Sequence, residues 1–151
     1  MRLAIGRAVE GIAAGQTPFG ACIVTAEGVV VACEHNVVWQ TTDITAHGEV
    51  TAIRSACQAL LAIDLSDCTI YSTTEPCPMC FSAIHWAKIR RIVYGASIAD
   101  AQAAGFNELT IANTLMKREG GSSVEIEGGC LKEECVPLFA RWQAAGSARI
   151  Y

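Results

Sequence analysis

Two short motifs in the sequence contain side chains that bind metals and transfer protons. The first is His47-Gly48-Glu49, and the second is Pro76-Cys77-Pro78-Met79-Cys80. Two cysteines at the start of a helix can direct both sulfurs at one metal ion, and the partial positive charge of the helix N-terminus favours their thiolate forms. A neutral imidazole from His47 adds a third donor that Zn²⁺ accepts. Together the two motifs predict a zinc site.

The number of protein ligands decides what such a zinc site can do. Structural zinc sites close with four protein ligands, whereas catalytic sites have three and keep a fourth position for water. His85 is the obvious rival ligand, but it lies five residues beyond Cys80, about 140° around the predicted helix. Glu49 lies two residues after His47, near enough to reach a water at the site without binding the metal. These positions favour a catalytic site, and a zinc that only staples the chain is the alternative.

The elements that hold these motifs follow from the spacing of apolar residues. Apolar runs at 21–26 and 29–33, separated by an acidic-glycine turn, predict a β-hairpin. Runs at 68–72 and 91–95 enclose a predicted helix and indicate a parallel βαβ unit. The pattern predicts the α/β class, a three-layer α/β/α sandwich with a mixed sheet of about five strands. Helices are predicted at 2–14, 46–61, 78–86, 99–104 and 131–145, with a further edge strand at 123–126.

Length and charge limit the classes of function. The 151 residues suit a single domain spanning 1–151, and no run of apolar residues is long enough for a membrane span. Eleven basic residues against fifteen acidic ones argue against nucleic acid as a partner and favour a small-molecule substrate. We expect a cytoplasmic protein with reduced cysteines, in which Cys22, Cys33, Cys57 and Cys68 are small buried apolar residues.

A histidine-x-glutamate motif followed thirty residues later by Pro-Cys-x-x-Cys resembles the cytidine deaminase superfamily. The stretches TAHGEVTAIRSAC, TTEPCPMCFSAIHWA and IADAQAAGFNEL are similar, more narrowly, to bacterial guanine deaminases. The resemblance implies that His47, Cys77 and Cys80 bind Zn²⁺. It also implies that Glu49 takes a proton from the attacking water and returns it to the leaving amine. The implied reaction is hydrolysis of guanine to xanthine and ammonia.

The same resemblance implies a substrate pocket. Phe19, Asn36 and Trp86 match family positions that stack on the base or hydrogen-bond to it, and Glu108 matches a second acid. That acid complements the donors of guanine and can relay a proton to the leaving group. The relatives also end in a tyrosine that closes over a ring in the pocket, which implies this role for Tyr151. A homodimer that exchanges its C-terminal segments between subunits is a further implication.

Three departures from the family pattern leave the substrate open. Gly48 replaces the usual alanine, Asn107-Glu108 replaces a pair of aspartates, and His85 stands where a tyrosine is common. The alternative substrates are guanosine, an ammeline-like triazine, cytosine or cytidine, and adenosine in tRNA. A zinc-stapled binding module without turnover is the alternative from a different class of protein.

Overall fold

The computed structural model describes residues 1–146 and 149–151. In that part of the chain, no helix has the length and apolar character needed to cross a membrane. The helices and strands are, in chain order, α1 Arg2–Ala13, β1 Gly20–Thr25, β2 Val30–His35, α2 Val38–Thr41, α3 Gly48–Leu60, β3 Cys68–Thr74, α4 Pro78–Trp86, β4 Arg91–Ala96, α5 Ile98–Ala103, α6 Asn113–Gly120, β5 Glu125–Glu127, α7 Lys132–Cys135 and α8 Pro137–Ala144.

The strands form one mixed sheet in the order β2-β1-β3-β4-β5. β1 pairs antiparallel with both β2 and β3, whereas β3, β4 and β5 run parallel to one another. The β1–β2 hairpin turns at Gly28, whose φ of +84° lies in the left-handed region that glycine adopts without a steric penalty. The parallel pair β3–β4 is joined through α4, so the predicted βαβ unit and the mixed sheet are confirmed.

Two apolar clusters fix the helices to the sheet. One cluster joins α3 and α4 to the central strands through residues such as Ala52, Ile84 and Ile70. The second joins α1 to α8 and includes Ile12 and Phe139. The first cluster matters for function, because it holds α3 and α4 on the same part of the sheet and brings their N-termini together.

The structure differs from the predicted elements at the short helix α2, which was not predicted, and in the C-terminal third. The helix expected at 131–145 divides into α7 and α8, because Pro137 has no backbone N–H to continue the helical hydrogen bonds. α6 was not predicted at all, and its second half covers part of 117–123, which has the composition of a loose segment. Asn113 is the only buried residue of α6, so no repeating set of buried apolar residues marks this helix in the sequence.

The expectation that Cys22 and Cys33 are reduced apolar residues is wrong. The strand register places them directly opposite each other on β1 and β2, with 4.0 Å between their Cα atoms, and their sulfurs are joined in a disulfide. Periodicity identified both strands, but only the register shows that the two side chains meet. Cys57 and Cys68 are free. Cys68 is buried as expected, whereas Cys57 is only partly buried, against the edge of the first apolar cluster.

Candidate active site

The N-termini of α3 and α4 form the centre of the site. His47 is the N-cap residue of α3 and Cys77 the N-cap residue of α4, and both have extended backbone. Neither side chain caps its own helix, so the imidazole and the thiol are free to face each other. Pro78 occupies the first turn of α4, where its missing N–H costs no hydrogen bond.

The predicted ligand atoms converge. His47 Nδ1 lies 3.6 Å from Cys77 Sγ and 3.6 Å from Cys80 Sγ. All three ligand atoms lie within 4.8 Å of one another. With Zn–S of about 2.3 Å and Zn–N of about 2.1 Å, tetrahedral angles separate a sulfur from a nitrogen ligand by about 3.6 Å. Both sulfur–nitrogen distances therefore match those of a tetrahedral zinc site.

The electrostatics of the two cysteines also suit a cation. The hydrogen bond from Cys80 and the neighbouring His47 lower the pKa of the Cys77 thiol to about 4, although burial opposes this. The pKa of Cys80 is raised well above its usual value by the same hydrogen bond, by burial and by Glu49. As thiolates, the two sulfurs would need a positively charged partner close by. A divalent cation supplies that partner.

Glu49 lies beside the ligands in the first turn of α3. It is only 6% exposed, and its Oε2 is 3.5 Å from Cys80 Sγ. Ser72, on β3, donates a hydrogen bond of 3.0 Å to Glu49 Oε1 and so holds the carboxylate in one orientation. Burial raises the pKa of the Glu49 carboxyl, while the Ser72 hydroxyl opposes the shift. A buried carboxylate with its pKa raised toward neutrality is a suitable general acid and base.

A cavity of about 250 Å³ opens beside the ligands. Glu108 lines it as a half-buried carboxylate whose pKa is raised by burial. Phe19 lines it as well and packs edge-on against Phe106 with ring centroids 4.8 Å apart. The full lining is Phe19, Ile44, His47, Cys77, Pro78, Met79, Phe106, Asn107, Glu108, Leu109 and Tyr151.

Tyr151 lies over this cavity from the same chain. Its hydroxyl accepts a hydrogen bond of 2.7 Å from Asn36 Nδ2, and its ring lies 5.8 Å from the ring of His47. Burial raises the pKa of the phenol to about 12, so Tyr151 stays neutral. The guanidinium of Arg149 stacks on the ring of Trp39. The indole N–H of Trp39 donates a hydrogen bond to the backbone oxygen of Arg149. These contacts anchor 149–151 over the site.

The structure places the remaining predicted residues in different surroundings. Asn36 is fully buried and is not part of the cavity lining. Its side-chain amide donates a hydrogen bond to the hydroxyl of Tyr151, which does line the cavity. The placement of Trp86 in the pocket wall needs correction, because its side chain is 81% exposed. The buried residues of α4 are Cys80, Phe81 and Ile84, and Trp86 lies off that face.

Several cavity residues were not predicted. Pro78 and Met79 are the two residues between the cysteines, and Phe106 and Asn107 precede Glu108, so proximity to a motif could have identified them. Ser72 could have been found only by placing β3 beside α3, because nothing in its local sequence connects it with Glu49. His85 lies apart from the cavity and is 3.1 Å from the hydroxyl of Ser122.

The sequence and the fold were compared with known proteins. The family model of the cytidine and deoxycytidylate deaminase zinc-binding region matches residues 1–96. The chain is 39% identical to a guanine deaminase from Bacillus subtilis over 152 aligned positions, covering 100% of this chain and 96% of the relative. It is 33% identical to a tRNA-specific adenosine deaminase of the same organism over 135 positions, covering 89% and 81%.

Among solved structures, a guanine deaminase from Nitrosomonas europaea superposes with a TM-score of 0.85. The two chains are 27% identical, and the superposition covers 93% of this chain and 81% of the other. The shared fold therefore extends beyond residues 1–96, which the family model matches.

Proposed function

This chain belongs to the family of the cytidine and deoxycytidylate deaminase zinc-binding region, and from that membership we propose that it is a zinc-dependent hydrolase that converts guanine to xanthine and ammonia. The observation that carries the choice of guanine is Glu108, a half-buried carboxylate in the same cavity as His47 and Cys77. The identity of 39% to a guanine deaminase over the whole chain supports the same choice.

Glu108 complements one edge of guanine. The base presents the N1–H and the 2-amino group side by side, and both are hydrogen-bond donors. An ionised carboxylate has only acceptor sites and can accept from both donors at once. The opposite arrangement holds at the ring edge of cytosine, where an acceptor nitrogen lies beside the amine. The carboxylate of Glu108 and that ring nitrogen are both acceptors and would repel each other, so Glu108 favours guanine over cytosine.

Glu49 moves the protons of the reaction. Zinc bound by His47, Cys77 and Cys80 would supply Lewis acidity, which makes water a nucleophile near neutral pH. Glu49 accepts a proton from that water while the water oxygen forms a bond to C2 of the base. The C2–N3 double bond opens in this step, and its electron pair moves to N3. Glu49 then returns the proton to the 2-amino group, the C2–N bond to the amine breaks and ammonia leaves, and the second proton of the water moves from the C2 oxygen to N3 to give xanthine. Such proton transfers contribute on the order of 10²- to 10⁴-fold in rate.

The dimensions of the cavity favour a free base. Its volume of about 250 Å³ lies below the roughly 300–1,000 Å³ typical of sites for drug-sized ligands. Phe19 supplies an aromatic surface, and Tyr151 covers the cavity. A ribose attached to the base would add its own volume to a ligand in this small, partly covered cavity. We therefore expect guanosine to be a poorer substrate than guanine.

A second candidate is deamination of adenosine in tRNA, which the identity of 33% to a tRNA-specific adenosine deaminase favours. The excess of fifteen acidic over eleven basic residues opposes it, because binding to the anticodon arm relies on phosphate contacts. The two candidates share the zinc site and differ in the substrate that reaches it.

The test is ammonia release by the zinc-loaded protein from guanine, guanosine, ammeline, cytosine, cytidine, adenine and a tRNA anticodon hairpin. We expect release from guanine at the highest kcat/KM. Faster release from the hairpin or from cytosine would replace the proposed substrate and leave the roles of the ligands intact. No release from any compound would favour the zinc-stapled binding module.

We also propose a single domain over 1–151 that acts as a cytoplasmic homodimer. Family resemblance supports the dimer and the exchange of C-terminal segments, and the anchoring of Arg149 and Tyr151 over the cavity is compatible with a segment supplied by either subunit. The linking residues 147–148 lie outside the described residues. Analytical ultracentrifugation, with a variant truncated after residue 146, would show whether the dimer depends on the exchange.

A further inference from the structure

Glu75 is a buried acid that the proposed reaction does not use. It lies between the end of β3 and the Pro76-Cys77 motif and is 8% exposed. None of the ion pairs found within 1–146 and 149–151 includes it. A carboxylate withdrawn from water needs hydrogen-bond donors, so the partners of its two oxygens indicate what it does.

Both carboxylate oxygens accept backbone hydrogen bonds from helix N-termini. Oε1 accepts from the N–H of Asn113, the first residue of α6, at 2.9 Å. Oε2 accepts from the N–H of Ile98, the first residue of α5, at 3.3 Å. The first N–H groups of a helix have no partner within the helix, so one side chain satisfies an otherwise unpaired donor in each of two helices.

Further hydrogen bonds tie the same helices to the metal-binding loop. Asn113 Nδ2 donates to the backbone oxygen of Pro76 at 2.6 Å, directly before the ligand Cys77. The backbone N–H of Glu75 donates to the oxygen of Ala96 at 2.8 Å, at the end of β4. The two helix starts and the metal-binding loop are thereby fixed to one another.

The segment 104–112 connects α5 to α6 and contributes Phe106, Asn107, Glu108 and Leu109 to the cavity. It contains no helix or strand. Its own polar anchors are few and include a hydrogen bond of 3.1 Å from Gln143 to the oxygen of Ala104. Phe106 is buried in the second apolar cluster and holds the first half of the segment. The residues from Asn107 onward lead directly into α6, so the position of Glu108 relative to Cys77 also depends on how firmly the starts of the flanking helices are fixed.

We propose that Glu75 is a positioning residue, which bridges the starts of α5 and α6 and so holds the Glu108 segment against the metal-binding loop. The consequence for guanine turnover rests on the proposed function of Glu108. A carboxylate is required because two N–H groups need two acceptor oxygens. The amide of glutamine offers one acceptor and would direct N–H groups at the other donor.

The experiment compares Glu75→Gln in the parent and in the Glu108→Gln background, on zinc-loaded protein. Ser97→Ala is the matched control, since it removes the capping box of α5 with Asp100 and leaves the Glu75 bridge in place. The measurements are zinc content, kcat and KM for guanine, and hydrogen–deuterium exchange in 104–112. If Glu75→Gln does not fold, Glu75→Asp replaces it, because the shorter stem cannot reach both N–H groups.

We expect Glu75→Gln to retain its zinc and to lose about tenfold in kcat/KM, because small displacements of a positioning group are costly. The loss should shrink to less than about twofold when Glu108 is already glutamine, since coupled residues are not additive. Exchange in 104–112 should rise in Glu75→Gln and not in Ser97→Ala.

Additive losses in the two backgrounds, loss of zinc, or unchanged exchange in 104–112 would overturn the proposal. An equal effect of Ser97→Ala on exchange and kinetics would also overturn it, because loss of helix stability alone would then suffice. If the parent does not deaminate guanine, the proposed function fails, and the exchange experiment still decides whether Glu75 positions the segment.

Discussion

Replacing Glu108 with glutamine tests the choice of substrate most sharply. The side chains have the same shape, so Glu108→Gln removes a charge and one acceptor without opening space in the cavity. Glu108 lies in the lining and makes no hydrogen bond or ion pair with the described residues, so the fold does not depend on its charge. We expect guanine turnover to fall while zinc is retained and stability does not decrease.

The size of the loss follows from the two hydrogen bonds at stake. Bonds to a charged group contribute about 1.5–3 kcal/mol each, and an unpaired buried donor costs about 1–3 kcal/mol. Glutamine keeps one acceptor and presents its amide to a guanine donor, so a net loss of about 2–4 kcal/mol is expected. That corresponds to a decrease in kcat/KM of about 30- to 900-fold.

Glu108→Gln should change stability in the opposite direction to activity: it lowers turnover but stabilises the metal-free protein where the Glu108 carboxyl of the parent is ionised. Burial raises the pKa of the Glu108 carboxyl above its usual value of 4.5, so the folded state binds the proton more tightly than the unfolded state does. The favourable contribution of the protonated group is complete below pH 4.5 and is lost as the pH rises through the folded-state pKa. Glutamine stays neutral, so the Tm of metal-free Glu108→Gln relative to the parent should increase with pH across this range.

The assay is steady-state release of ammonia from guanine, with zinc content measured on the same samples. Thr110→Ser serves as a control, since it alters an exposed uncharged side chain in the same segment that is not part of the cavity lining. A variant Glu108→Gln that keeps more than half of the parent kcat/KM would refute the role of Glu108 in recognition. A fall in its Tm relative to the parent at neutral pH would refute the electrostatic reasoning.

Three further predictions concern the cover, the general base and the metal. Deleting Tyr151 removes the hydrogen bond to Asn36 and the aromatic cover, so KM should rise about tenfold; unchanged kinetics would count against the cover. Ser72→Ala should lower kcat about three- to tenfold at constant KM, because Glu49 loses the donor that orients it, and an equal change in KM would contradict this. Removing zinc with a chelator should lower the Tm of the parent protein in a scanning fluorimetry assay. In Cys77→Ser, the difference in Tm between the zinc-loaded and the chelated protein should be much smaller. A parent Tm that does not change with zinc would exclude zinc binding to the folded state.

The sequence predicted the parts of the molecule that depend on local pattern. His47 and Cys77 each begin a periodic helix, so their place at helix N-termini could be predicted before their convergence was known. Cys80 follows one turn later, which makes the two sulfurs neighbours in any regular helix. The hairpin and the βαβ unit were predictable for the same reason, from apolar runs and a glycine turn.

The rest depends on contacts between residues distant in sequence. α6 has one buried residue and is anchored by Glu75, 38 residues earlier, so no local pattern indicates it. Trp86 is the last residue of α4, a helix whose buried face can be assigned only after packing is known. The bonded pair of Cys22 and Cys33 depends on strand register, which composition does not specify.

The central claim is that Glu49 and a zinc site of three protein ligands hydrolyse guanine. Incubating guanine with the zinc-loaded protein in ¹⁸O-labelled water tests it directly, with Glu49→Ala in parallel. The account predicts xanthine with one heavy oxygen at C2, one ammonia for each guanine consumed, and a loss of turnover in Glu49→Ala despite retained zinc. Unchanged guanine with the parent protein, xanthine without the label, or full turnover by Glu49→Ala would contradict it.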